Sequence, residues 1–270
     1  MSWVLWCLAV MGALGAIFGV SLAVVSRFFR VTVDPRIEQL ADALPGINCG
    51  ACGCAGCEGY AEAVSKGAAP NLCIPGGHDT ALKVAHIMGM TLEDERLPAR
   101  AVVHCQGGTD RCAERYVYDG IADCTAANLL QHGPKKCDYG CLGYGNCARA
   151  CPFGAITMDE TRIPRVDWSR CTGCGTCVRT CPRGLIETLP VSIGHYIACS
   201  SQNRGKAVKK ACTVGCIACW VCVKSAPEGH VEKQGNLPRL TYPDDADYAA
   251  AMEKCPMNCF VQVAYDCAAG

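Results

Sequence analysis

The sequence predicts an α+β protein behind one N-terminal transmembrane helix: a small, mainly helical module, then short-stranded modules arranged as a repeat. Three observations predict it. Residues 3–25 are an uncharged apolar run, 25 of the 270 residues are cysteine and gather in tight runs, and the spacing of one run recurs 75 residues downstream.

The anchor comes first. Trp3 to Val25 is 23 residues without a charge. As a helix it spans about 34 Å, against a hydrocarbon core of about 30 Å. A secretory signal has a basic start and a shorter apolar core. No Lys or Arg precedes this run, whereas Arg27 and Arg30 follow it. The positive-inside rule then puts the C-terminal side in the cytoplasm. The expectation is a single-pass anchor, residues 1–30, in the inner (cytoplasmic) membrane, with the other modules on the cytoplasmic side. Structural disulfides are rare in that compartment. Gly15 and Gly19 share one face, as small residues do where membrane helices pack. Cys7, at membrane depth, reads as an apolar filler.

About 9 per cent cysteine means a disulfide scaffold or a metal protein. Disulfide scaffolds are short and secreted. The C-x2-C-x2-C runs here place neighbouring thiols to share a metal. The formal net charge is zero, so no global electrostatic case for nucleic acid exists. The charge is uneven, however. Residues 31–129 carry 7 Lys/Arg against 13 Asp/Glu, residues 130–215 carry 12 against 5, and residues 216–270 carry 4 against 7.

In the segment 31–92, Asp34-Pro35 is a helix start, with Asp as N-cap and Pro at the first helical position. Ile37, Leu40, Ala41 and Leu44 form its apolar face, and Pro45-Gly46 ends it. "NCGACGCAGCEGYAEAV" and "LCIPGGHD" follow, with cysteines at 49, 52, 54, 57 and 73. The glycines at 50, 53 and 56 let the backbone fold tightly and turn amides toward sulfur. Cys57 opens a helix running to Lys66-Gly67, and a last helix spans about 79 to 90. This run, with its Asp-Pro helix before and Cys-x-Pro-Gly-Gly loop after, resembles the 4Fe-4S domain of the B subunit of Rnf-type ferredoxin:NAD oxidoreductase complexes. The resemblance implies Cys49, Cys52, Cys57 and Cys73 as cluster ligands. The family usually has a non-cysteine where Cys54 stands, so Cys54 is a departure that could compete with Cys52.

Residues 93–136 read as a connecting segment and 137–190 as a two-cluster, ferredoxin-like domain. "CTGCGTCVRTCP", Cys171-x2-Cys174-x2-Cys177-x3-Cys181-Pro, is the bacterial ferredoxin signature, in which the fourth cysteine serves the other cluster. Zinc sites use two separated C-x2-C pairs instead. The partner run is looser: Cys137-x3-Cys141-x5-Cys147-x3-Cys151-Pro. Exchange of the Cys-Pro ligands gives one cluster on Cys137, Cys141, Cys147 and Cys181 and another on Cys151, Cys171, Cys174 and Cys177. Between them "AITMDETRIPRVDWSR" reads as a hairpin turning at Asp159-Glu160. "CLGYGNCARACPFGAI" again resembles the Rnf subunit.

Shifting the first run by 75 residues maps Cys124, Cys137, Cys141 and Cys147 onto Cys199, Cys212, Cys216 and Cys222, and Cys151 onto Ala226. Residues 191–270 therefore read as a degenerate second copy. Residues 227–254 hold no cysteine, so the cluster that a cysteine at 226 would serve is missing. One cluster remains, on Cys216, Cys219, Cys222 and Cys255; a competing set puts Cys212 in place of Cys219. Four 4Fe-4S clusters are assigned, and the unassigned thiols 105, 112, 124, 199, 212, 259 and 267 leave room for a fifth or sixth.

The resemblance runs from the anchor to about residue 267. It implies the electron-transfer subunit of a membrane complex that couples ferredoxin oxidation and NAD reduction to ion translocation. Its partners are then other subunits of that complex, soluble ferredoxin, and the membrane through residues 3–25. No G-x-G-x-x-G, Walker loop or nucleophile–base pair is present, so no catalytic residue is expected. Two alternatives are a membrane-anchored polyferredoxin of a hydrogenase or formate dehydrogenase and a zinc-stabilised interaction module. Lys135, Lys136, Arg204, Lys206, Lys209 and Lys210 are expected to be exposed, as a docking face for an acidic ferredoxin.

Overall fold

The computed structural model describes residues 2–28, 34–92, 97–243 and 246–263. Helix α1, Ser2–Phe28, has 27 residues and no buried side chain. At 1.5 Å per residue it is about 40 Å long, more than a hydrocarbon core of about 30 Å requires. Its most apolar window has a mean hydropathy of 2.4. Arg27 closes its last turn, while Arg30 lies outside the described residues.

Helix α2, Pro35–Ala43, starts as the sequence predicts. Pro35 occupies the first turn and the Asp34 carboxylate accepts the Arg36 N–H at 2.9 Å. Helix α3 is Gly56–Ser65 and helix α4 Gly77–Met88. Helix α4 stops two residues short of the expected end because Gly89, with φ of 65°, takes the left-handed cap. Leu40, Tyr60, Val64 and Val84 form the core of this module, and Cys52, Cys54, Cys57 and Cys73 pack against it.

The next elements are β1 Ala99–Val103, α5 Cys124–Leu129, α6 Asn146–Arg149, β2 Ile156–Met158, β3 Pro164–Val166, α7 Thr176–Thr180 and β4 Ile186–Pro190. Strands β2 and β3 form the expected hairpin. The Asp159 carboxylate holds its turn by accepting the N–H groups of Thr161 and Ile163 at 2.9 and 2.8 Å. Strand β1 lies in the stretch expected to be connecting, yet it pairs antiparallel with β4, from Ala99 opposite Pro190 to Val103 opposite Ile186. Its partner is distant in sequence, and a reading centred on cysteine spacing has no signal for it.

The chain then repeats itself: β5 His195–Ile197, α8 Gly205–Ala211, α9 Val221–Ser225, β6 Val231–Gln234, β7 Leu237–Leu240, α10 Ala249–Glu253 and β8 Phe260–Gln262. Strand β5 pairs with β8 as β1 does with β4, and β6 with β7 as β2 does with β3. Helices α9 and α10 stand where α6 and α7 do. An isolated bridge, Cys112–Cys212, ties residues 105–136 to the second copy, and another, Glu114–Lys135, closes that segment on itself.

One expectation is corrected here. Lys135 is not part of an exposed basic face: it is 1 % exposed, and its Nζ donates to the Gly107 carbonyl at 2.6 Å. It lies within electrostatic reach of Cys112 and Cys212 at the seam, which a spacing argument cannot foresee. Lys136, Arg204, Lys206, Lys209 and Lys210 are exposed.

Candidate functional site

In the first module, Gly50, Gly53 and Gly56 all have positive φ, at 66°, 82° and 84°. These left-handed residues curl the 49–57 loop tightly. The Asn48 side chain accepts the Cys57 N–H at 2.7 Å and pins the loop to the start of α3. Tyr60 supports the other side. Its hydroxyl donates to the Ala69 carbonyl at 2.9 Å and accepts the Leu72 N–H at 3.1 Å, one residue before Cys73. Cys73 feels the charges of Cys57, Cys49 and Cys52, so the four cysteines implied by the resemblance lie together. Cys54 contacts Cys52.

Four further cysteine groups line hollows in the strand modules. The first hollow brings together Cys151, Cys171, Cys174 and Cys177, as expected. The second is lined by Cys141, Cys147 and Cys181 with Cys124. Cys137, the expected fourth member, lies elsewhere. Helix α5 carries Cys124 in: Asp123 caps it by accepting the Thr125 and Ala126 N–H groups at 2.8 and 2.9 Å, and Asn146 on α6 accepts the Cys124 N–H at 2.9 Å. The third is lined by Cys216, Cys219, Cys222 and Cys255, with Cys259 as a fifth thiol. Cys212, the competing candidate, is absent from it. The fourth is lined by Cys105, Cys112, Cys137, Cys199 and Cys212. Cys267 lies outside the described residues.

Backbone amides point at the sulfurs. Every cysteine that precedes proline accepts an N–H from four residues on: Cys151 from Ala155 at 3.3 Å, Cys181 from Leu185 at 3.4 Å and Cys255 from Cys259 at 3.4 Å. Such bonds favour the thiolate over the thiol and stabilise the charge added on reduction. Burial opposes them. It pushes the Cys177 thiol up to about 12 and those of Cys147 and Cys222 up to about 11. Metal binding at Cys147, Cys177 and Cys222 must therefore release protons. Cys259 has the opposite effect on its neighbours. Its hydrogen bonds hold Cys255 down at about 5 and Cys216 at about 7.

The donor set is thiol-only and the hollows are apolar, which fits 4Fe-4S clusters. Among the described residues, no three His, Cys, Asp or Glu side chains close around a single-ion position. A cubane needs wider spacing, because each thiolate binds a different iron corner.

The modules touch. The Arg179 guanidinium on α7 donates to the Cys49 carbonyl at 3.1 Å. Cys147 and Cys177 share one core with Cys151, Cys171 and Cys181. The first module and the two cysteine sets of the first copy thus lie in contact.

Sequence reasoning left Cys124 and Cys259 unassigned. The recurrence of 124 and 199, and of 137 and 212, was the available signal, but it misaligns one pair. Structurally Cys199 matches Cys105: His104 N–H donates to Leu185 O and Ala198 N–H to Cys259 O, both at 2.8 Å. Likewise Cys141 N–H donates to Cys105 Sγ at 3.3 Å and Cys216 N–H to Cys199 Sγ at 3.2 Å. A longer loop in the first copy hides this equivalence from a fixed shift.

Comparison with known proteins agrees with the donor chemistry. The FeS family model, described as a putative Fe-S cluster, matches residues 44–75, and the 4Fe-4S dicluster domain model matches residues 136–185. The chain is 42% identical over 260 residues, 95% of its length, to the B subunit of the proton-translocating ferredoxin:NAD(+) oxidoreductase complex of Clostridium ljungdahlii, covering 91% of that protein. It is 39% identical to the B subunit of the ion-translocating oxidoreductase complex of Methanosarcina acetivorans, over 93% of this chain and 95% of that one. The B subunit of the Na(+)-translocating ferredoxin:NAD(+) oxidoreductase complex of Acetobacterium woodii is 38% identical over 93% of this chain and 75% of its own.

Proposed function

Because the chain belongs to the B-subunit family of ion-translocating ferredoxin:NAD(+) oxidoreductase complexes, we propose that it carries electrons from reduced ferredoxin through a series of 4Fe-4S clusters to other subunits. The complex is the oxidoreductase; this chain transfers electrons within it. The observation that carries the reading is the succession of thiol-lined sites along the modules, three of them in contact.

The ligand sets we assign are Cys49, Cys52, Cys57 and Cys73; Cys151, Cys171, Cys174 and Cys177; Cys124, Cys141, Cys147 and Cys181; and Cys216, Cys219, Cys222 and Cys255. Cys124 takes the place expected for Cys137. Each cluster supplies a one-electron couple whose potential follows burial, hydrogen bonds and local charge. The protein's part is to hold thiolates apart at cubane spacing, aim amides at sulfur and keep water out. The Cys-Pro corners do both of the first two. Ala226 stands where the second copy has no partner cluster to serve.

Helix α1 anchors this series to the membrane, with Arg27 on the cytoplasmic side. None of its side chains is buried against the rest, so the modules fold without it. Deleting residues 1–28 should yield a soluble brown protein that one-electron-reduced ferredoxin reduces, read by bleaching of its visible absorbance under anaerobic conditions. A truncated chain that is loaded with iron but inert to reduced ferredoxin would refute the donor assignment. A colourless chain after anaerobic reconstitution would refute the cluster assignment.

A further inference from the structure

The hollow at the seam of the two copies is not used by the four proposed clusters. It is lined by Cys105, Cys112, Cys137, Cys199 and Cys212. Its unfilled space, about 450 Å³ and partly open to solvent, matches the three hollows assigned to clusters, at about 420, 390 and 300 Å³. Four of its thiols converge. A methyl group placed on Gly107 would sit 3.2 Å from Cys212 Sγ, 3.7 Å from Cys105 Sγ and 3.4 Å from Cys112 Cβ. Cys112, Cys137 and Cys212 pack as one buried group, and Cys137 lies within electrostatic reach of Cys105 and Cys212. Cys199 also lies within reach of Cys105 but faces the second copy. It packs with the core around Cys216, and its sulfur accepts the N–H groups of Ser201 and Cys216 at 3.5 and 3.2 Å.

Lys135 is an independent observation about charge. Its ammonium is buried at this hollow and donates to Gly107 O at 2.6 Å. None of the ion pairs among the described residues involves it. A buried cation is costly unless a negative charge compensates it. A cluster with four thiolates is anionic and supplies that charge.

The position fits a relay. Cys137 precedes Cys141 by four residues and Cys212 precedes Cys216 by four. Cys105 Sγ accepts the Cys141 N–H at 3.3 Å. The hollow thus stands between the cluster site of the first copy and that of the second, each joined to it by one turn of backbone.

We propose that this hollow holds a fifth 4Fe-4S cluster, ligated by Cys105, Cys112, Cys137 and Cys212, which carries electrons across the seam between the two copies. The inference rests on the reading of the chain as an electron carrier. A transfer moves one electron from the reduced neighbour on one side to the oxidised neighbour on the other. No bond forms or breaks.

The test is native mass spectrometry of the anaerobically purified full chain, together with iron, sulfide and zinc analysis. The wild type should carry about 20 iron atoms, at four per cluster. Cys112→Ser/Cys212→Ser should carry about 16 and lose one cluster mass, while Cys199→Ser should keep all of it. About 16 irons in the wild type, unchanged in the double variant, would overturn the proposal and leave the four-cluster reading standing. One zinc per chain lost with the double variant would overturn it too, as would a Cys112–Cys212 disulfide in the purified protein. If the double variant loses all iron because it does not fold, the wild-type count decides alone: about 20 supports the proposal and about 16 overturns it. A wild-type count well below 16 would overturn the four-cluster reading itself, and this inference with it.

Discussion

Tyr60→Phe isolates what one buried hydroxyl does for the first cluster site. Tyr60 is 1 % exposed, and its hydroxyl bridges Ala69 O and Leu72 N–H, at 2.9 and 3.1 Å. Phenylalanine keeps the ring and its packing on Leu40, Val64 and Val84 but removes both hydrogen bonds. The Leu72 amide is then left without an acceptor in a half-buried place, while the exposed Ala69 can be hydrated. An unsatisfied buried group costs about 1–3 kcal/mol, and a solvated one much less. The loop bearing Cys73 should therefore lose about 1–2 kcal/mol, a factor of roughly 5–30 in its opening equilibrium. Cluster loss to an iron chelator, followed by absorbance under anaerobic conditions, should show one cluster departing about 5–30 times faster. The remaining clusters should keep their wild-type rates. Unchanged kinetics, or equal acceleration of every phase, would refute the argument that Tyr60 acts on Cys73 through Leu72.

Three further outcomes follow from named residues. Cys54→Ser should leave the iron content unchanged, whereas Cys57→Ser should lose about four irons, at four per cluster; equal loss in both would overturn the ligand set at the first site. Ala226→Cys should add one titratable thiol and no iron, because no partner cysteine lies in residues 227–254; extra iron would mean that a further set of thiols already stands beside it. Reversing the exposed Lys206, Lys209 and Lys210 of α8 to Glu should slow reduction by ferredoxin at low salt and flatten its salt dependence. With a Debye length of about 8 Å at physiological salt, only charges close to the contact still act there. A wild-type rate and salt slope in that variant would move the docking face elsewhere, to the surface beside the first module.

The long N-terminal apolar helix, the Asp34-Pro35 helix start, the β2–β3 hairpin and the tandem copies were all legible in the residues. Each rests on local signals: an uncharged run, a capping side chain, alternation around a turn, a repeated spacing. The set Cys151, Cys171, Cys174 and Cys177 was equally legible, because three of its members lie within seven residues and the chain has little freedom in how they can meet. Only the tertiary structure decided the rest. Strand β1 finds its partner more than eighty residues away, and that pairing carries Cys105 to the seam. Asp123 and Asn146 swing Cys124 into the place expected for Cys137. Lys135, charged and adjacent to an exposed lysine, is buried because two copies close over it. Local sequence sets which residues can turn, cap or span. Which thiols share a hollow depends on contacts between segments far apart in the chain, and there a fixed register of spacings fails wherever one copy carries a longer loop than the other.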